Sequence, residues 1–117
     1  MKSANRALGR LTEGMAATAL EKKGYVIVER NFSNRYGEID LIAKEGDTLV
    51  FVEVKAKTGI MYGLPEEMIS KGKLNKIRHM ATIYMDGKSL VCRIDVVAIV
   101  INSYNEIMRL THYKNVY

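Results

Sequence analysis

Asp40, Glu53 and Lys55 are the residues of this 117-residue chain whose types and spacing carry chemistry. Two alternating runs, Tyr36 to Lys44 and Leu49 to Lys57, flank Glu45-Gly46-Asp47-Thr48, and a Gly-Asp pair suits a tight type II′ turn. The segment is predicted to be a β-hairpin. Side chains alternate across a strand, so Glu38, Asp40 and Ile42 share one face, and Phe51, Glu53, Lys55 and Lys57 share one face of the next strand. The turn fixes the register: Lys44 faces Leu49, Asp40 faces Glu53 and Glu38 faces Lys55. Opposed residues have Cβ atoms about 4.5 to 5.5 Å apart, and like charges so placed destabilise the pair or force one of them to hold a proton. A divalent cation between Asp40 and Glu53 removes the conflict, because Mg²⁺ and Ca²⁺ prefer hard oxygen ligands. Lys55, on the same face, adds a positive charge beside the site. The plainer alternative is a solvated acidic sheet face in which Glu38 pairs with Lys55 and nothing else happens.

The elements that must hold these residues follow from periodicity. Between Leu8 and Lys23 the apolar residues Leu8, Leu11, Met15, Ala19 and Leu20 fall mostly three or four apart, and Gly24 ends the pattern, which predicts a first helix. Tyr25 to Phe32 is rich in β-branched and aromatic residues and alternates as a strand does. After the hairpin, Thr58 to Pro65 holds two glycines and the only proline and reads as a loop. A second helix is predicted over Pro65 to Met85, interrupted near Ser70 to Gly72, with Leu74, Ile77, Ala81 and Tyr84 on its buried stripe. Leu90 to Ile101 is a nearly continuous apolar run, as in a strand covered on both faces and reached by a crossover helix. Ile107 to Tyr117 gives a weaker signal for an edge strand. The expected fold is one α/β domain over residues 1–117, order α-β-β-β-α-β, with a central mixed sheet flanked by helices.

Composition narrows the partners. No apolar stretch approaches the roughly 18 residues of a membrane span, and the first ten residues lack the apolar centre of a secretory signal, so a cytoplasmic protein is expected. The single cysteine, Cys92, excludes a disulfide framework and a Cys-type zinc site within one chain. The net charge of +5 favours an anionic partner, and its distribution is more telling. Lys71, Lys73, Lys76, Arg78 and Lys88 face a single acid, Asp86, over the second helix and its end, while acids gather around Glu38, Asp40, Glu45, Asp47 and Glu53. Asp95, inside an apolar strand, needs a partner, and Arg93 on the same face is the simplest one. His79 and His112 have no second ligand at helical or strand spacing and are assigned no role. Tyr25, Tyr62 and Tyr84 read as core or rim, with a tyrosine near the Thr58 to Leu64 loop also able to stack on a base.

Glu53-Val54-Lys55 behind Gly37-Glu38-Ile39-Asp40 resembles the PD-(D/E)XK motif of metal-dependent nucleases. The chain as a whole resembles the YraN-like family of small bacterial proteins, which are similar to archaeal Holliday-junction resolvases. The stretches that carry the likeness are Glu13-Gly14 of the first helix, Gly24-Tyr25, Arg30-Asn31-Phe32, Gly37 to Ala43, Phe51 to Lys55, Lys73 and Arg93 to Val97. Family members usually show an Arg soon after the motif lysine and a Gln beside the helix-two lysine, where this chain has Lys57 and Leu74. The resemblance implies a restriction-endonuclease-like core and Glu13 as a third acid at the metal, against the alternative that Glu13 is a first-turn glutamate favoured by the helix dipole.

Together these readings predict a Mg²⁺- or Mn²⁺-dependent endonuclease that hydrolyses phosphodiester bonds in DNA, with branched DNA among its candidate substrates. Asp40, Glu53 and Glu13 are the expected metal ligands, Lys55 the charge-stabilising lysine, and Glu38 a supporting acid. Lys73, Lys76, Arg78 and Lys57 are the expected phosphate contacts. A homodimer is expected by analogy with resolvases, which cut two strands. The rival expectations are a nucleic-acid-binding protein that keeps the nuclease fold without turnover, and a subunit whose acidic patch docks a basic protein.

Overall fold

The computed structural model describes residues 2–88 and 90–117. Helix α1 (Lys2–Lys22) leads into strands β1 (Val26–Asn34), β2 (Gly37–Glu45) and β3 (Thr48–Thr58); a 3₁₀ turn (Pro65–Met68) and helix α2 (Lys71–Met85) follow, then β4 (Cys92–Ile101) and β5 (Ile107–Tyr113). The five strands form one sheet in the order β1-β2-β3-β4-β5. Neighbours are antiparallel except β3 and β4, which are parallel and joined through α2. Parallel neighbours require such a crossover. The predicted element order therefore holds, with β5 added at the edge, and the mixed sheet is compatible with a nuclease-like core. No helix among the described residues is long and apolar enough to cross a membrane.

Each face of the sheet carries its own apolar layer. Ala16, Ala17 and Leu20 of α1 pack on Leu41, Ala43, Val50, Val52, Val97 and Ile99, while Ile77, Met80 and Ala81 of α2 pack on Ile39, Ile42, Leu49, Phe51 and Ile94 on the other side. Strand β4, covered by both helices, buries every residue from Ile94 to Ile101, which is why its sequence runs apolar without alternating.

The helices depart from expectation in informative ways. Helix α1 starts at Lys2 rather than Leu8, so Glu13 lies mid-helix and no first-turn dipole effect acts on it. Its buried stripe is Thr12, Ala16, Ala17 and Leu20, with Leu11 39% exposed: the small alanines let the helix approach the sheet closely, turning the larger Leu11 outward. The Thr12 hydroxyl donates to Leu8 O at 3.0 Å, which satisfies it in the apolar layer. The second helix breaks at Ile69 and Ser70, both extended, and Ser70 caps α2 by accepting from Lys73 N at 3.1 Å. Met80 joins the predicted stripe.

Asp95 is fully buried and more elaborately partnered than its neighbour Arg93 alone suggests. Arg93 Nε donates to its Oδ1 at 3.0 Å, as does Asn115 N, and His112 Nε2 lies 2.7 Å from Oδ2. Arg93 Nη2 also pairs with Glu45 Oε1 at 2.7 Å, so the network ties β4, β5 and the end of β2 together. Burial works to raise the Asp95 pKa, but the bonds from Arg93, Asn115 and His112 outweigh it and hold the carboxylate below its usual range. Asp95→Ala leaves Arg93 without its buried counter-charge and His112 without its hydrogen-bond partner. It should lower unfolding stability by about 3 to 5 kcal/mol, measured by urea titration. A loss below about 1 kcal/mol would show that the network does not hold the sheet.

Candidate functional site

The hairpin sets the site. Gly46 adopts a φ of 60° in the two-residue turn, and the register runs Glu45 to Thr48, Lys44 to Leu49 and on to Leu41 with Val52, as the turn chemistry requires. There the ladder ends, short of the continuation expected from the sequence. Asp40 Oδ2 instead accepts Val54 N at 2.8 Å, so a side chain replaces the next backbone bond as the strands part. Asp40 nevertheless acts on the Glu53 carboxyl, adding to burial in raising its pKa. The expected Glu38 to Lys55 pairing does not form: Glu38 pairs in register with Ser33 of β1, and its carboxylate turns toward α1.

That turn brings three elements onto Asp40. Carboxylate oxygens of Glu13, Glu38 and Asp40 all lie within 4.8 Å of one another. Asn31, opposite Asp40 in the register that joins Arg30 to Leu41 and Phe32 to Ile39, has a φ of 54°. Asparagine tolerates this left-handed conformation. With its amide nitrogen facing the acids, Asn31 donates to Glu13 Oε1 at 2.9 Å and to Glu38 Oε1 at 2.7 Å. Asn31 had no role in the sequence reading, although it stands in one of the stretches that carry the family likeness. A positive φ at one residue leaves no mark on hydrophobic periodicity.

On the other side of Asp40, Glu53 is only 4% exposed, and its counter-ion is Lys73, whose Nζ lies 3.3 Å from Oε2. Burial, then the hydrogen bond and charge of Asp40, push the Glu53 pKa up to about 8 against the pull of Lys73. Burial and the same neighbour, followed by the Glu38 charge, raise Glu13 to about 7, while Asn31 opposes the rise. Near neutral pH the cluster therefore holds protons that a cation could replace. Glu13, Glu38 and Asp40, with no thiolate or imidazole among them, offer the oxygen donors that a hard divalent ion such as Mg²⁺ or Mn²⁺ prefers, while Glu53 lies outside that triad, paired with Lys73.

Beside the acids opens a cavity of about 400 Å³ lined by Glu53, Lys55, Lys73 and Lys76, with Met68, Ile69, Ser70 and Gly72 at its wall. Lys55 reaches it from β3, and Lys73 and Lys76, three apart on α2, reach it from the opposite side. The expected basic face of α2 is thus divided. Arg78 sits 4.8 Å over the Tyr117 ring instead of lining the cavity, and Lys57 Nζ donates to Tyr62 O at 2.9 Å, pinning the loop after β3. Glu66 is a positioning residue that sequence reasoning missed. Its Oε2 accepts from Arg109 Nη2 at 2.7 Å and from the Tyr113 hydroxyl at 2.6 Å. These bonds fasten the 3₁₀ turn to β5, just before the cap that aims Lys73 at Glu53. The partners lie 43 and 47 residues away in the chain, a separation that no local pattern records.

The site belongs to a sequence with close relatives. A family model described as "Uncharacterised protein family UPF0102" matches residues 12–99, a span that holds the four acids and all three cavity lysines. A UPF0102 protein of Pelotomaculum thermopropionicum is 42% identical over 120 residues, covering 100% of both chains. One of Clostridium tetani is 42% identical over 109 residues, covering 91% of this chain and 89% of its own. One of Syntrophus aciditrophicus is 45% identical over 98 residues, covering 81% and 77%.

Proposed function

Since the chain belongs to uncharacterised protein family UPF0102, whose description carries no activity, we propose from its site that it is a divalent-metal-dependent endonuclease hydrolysing phosphodiester bonds in DNA. The observation that carries this reading is the gathering of the Glu13, Glu38 and Asp40 carboxylates beside a cavity lined by Glu53 and three lysines. Asp40, Glu53 and Glu13 would hold Mg²⁺ or Mn²⁺, with Glu38 supporting. When bound, such an ion polarises a phosphoryl oxygen and lowers the pKa of a water molecule. Lys55 faces the same cavity and offers an ammonium group to the charge that develops on the phosphoryl oxygens or to the attacking water. Lys73, 3.3 Å from Glu53, opposes the rise in its pKa while the acids are unliganded, and Lys76 holds a neighbouring phosphate as a point charge.

Purified protein incubated with linear, nicked and four-way DNA tests the proposal. Cleavage should require Mg²⁺ or Mn²⁺ and disappear in Asp40→Asn. Salt-sensitive binding with no cleavage by the wild type under any of these conditions would sink the enzyme reading and leave a nucleic-acid-binding protein on this fold.

Lys76 gives the cleaner test of phosphate binding, because Lys73 is also the partner of Glu53. Lys76→Ala should weaken binding to all DNA sequences alike and reduce the slope of log affinity against log salt by about 0.9. An unaltered slope in a fluorescence-anisotropy titration would mean that α2 faces away from the phosphates.

A further inference from the structure

The segment between Thr58 and Leu64 is built to present two side chains to solvent. Gly59 and Gly63, with φ of 72° and 104°, let the chain reverse. Gly63 N donates to Ile60 O at 3.1 Å, closing a turn with Met61 and Tyr62 at its tip. The turn is held from outside at three further points: Gly59 N to Ile101 O at 3.0 Å, Lys57 Nζ to Tyr62 O at 2.9 Å, and Leu64 N to Glu67 Oε1 at 2.9 Å. Despite this anchoring, Met61 is 84% and Tyr62 87% exposed. Among the described residues no hydrogen bond or aromatic contact engages the Tyr62 ring.

A scattered exposed apolar residue requires no explanation. This pair differs because of what holds it and what lies beside it. The lysine that grips the Tyr62 carbonyl is Lys57, two residues along β3 from Lys55 and on the same face. Two strand residues span about 7 Å, the rise of about two stacked nucleotides. A strand whose phosphate lies among Lys55, Lys73 and Lys76 would carry its neighbouring bases toward the tip of this turn. An exposed aromatic ring on a fixed backbone, held by the lysine two residues along the strand from Lys55, is a surface on which bases of single strands can stack.

Resting on the reading of the cavity as a phosphate site, we propose that Tyr62, backed by Met61, is a stacking platform for an unpaired base, and that the site takes DNA whose strand is single next to the bond to be cut. In continuous duplex the bases are stacked on one another and their faces are not offered to the ring. A frayed end, a flap or a gap exposes them.

Binding of the full chain, without divalent metal, to a single-stranded oligonucleotide containing 2-aminopurine and to the matched duplex tests the proposal. Tyr62→Ala should lose about 5- to 150-fold in affinity for the single strand, leave duplex affinity within about twofold, and abolish quenching of the fluorescent base. Tyr62→Phe should keep both. The proposal is overturned if the alanine variant binds the single strand as tightly as the wild type, if it loses both DNAs equally, if the wild type binds neither, or if the change instead dissociates a dimer. Cleavage by the wild type in Mg²⁺, assayed in parallel, tests the nuclease reading separately. Tyr62-dependent stacking without cleavage leaves the base site standing, whereas cleavage indifferent to Tyr62 leaves only the nuclease.

Discussion

Lys55→Ala is expected to bind DNA and metal nearly as the wild type does and to cleave about 10² to 10³ times more slowly, the effect of removing one charge-stabilising donor from a preorganised site. The geometry separates this role from a structural one. The cross-strand partner that would make Lys55 a stabilising residue, Glu38, is turned toward Asn31 and Glu13. Among the described residues no ion pair engages Lys55, which is half-buried at the cavity. Its removal should therefore cost no more than about 0.5 kcal/mol of stability. Single-turnover cleavage with protein in excess is the measurement, because it isolates chemistry from product release. Equal rates for the two proteins at saturating metal and DNA would refute the mechanism while leaving the fold untouched.

What could be read from the sequence divides along a physical line. Features set by local chemistry were legible: the Gly46-Asp47 turn dictated the β2 to β3 register as far as Leu41 and Val52, and the unbroken apolar run of β4 marked an interior strand. Arg93 as a partner for Asp95 followed from two-residue spacing. Features set by tertiary contact were not legible. The first turns of α1, from Lys2 onward, carry no apolar stripe and so gave no helix signal. The parting of β2 from β3 depends on Asp40 capturing Val54 N. His112 gained its place at Asp95 from the antiparallel pairing of β5 with β4, and Arg78 was drawn to Tyr117 at the far end of the chain. The acids at the candidate site were named from the sequence; Asn31, which joins two of them, and Lys73 as the Glu53 counter-ion required the folded chain.

The affinity of the site for Mg²⁺ or Mn²⁺ should rise about 10²- to 10³-fold between pH 6 and pH 8, with proton release on binding. Glu53, raised to about 8, and Glu13, raised to about 7, are protonated when the metal-free protein is below those values, and a cation must displace the protons to gain the ligands. Each displaced proton makes affinity rise about tenfold per pH unit, so the slope approaches two below pH 7 and falls to one and then to zero above it. The protons belong to the cluster as a whole, because Asp40 acts on both groups. The same shifts give metal-free stability the opposite pH dependence. The folded state binds more protons than the unfolded chain, whose glutamates titrate at 4.5. This contribution to stability therefore falls as pH rises from about 5 to about 8, and saturating metal should abolish the fall. Burial is the larger cause of both shifts, and Asp40→Asn removes the charge that adds to it; in that variant the metal-free melt should be somewhat flatter with pH, and metal binding should be lost. Titration calorimetry in two buffers of different ionisation enthalpy counts the protons directly. A metal affinity constant from pH 6 to 8, with no proton released, would mean that these four carboxylates do not form the metal site.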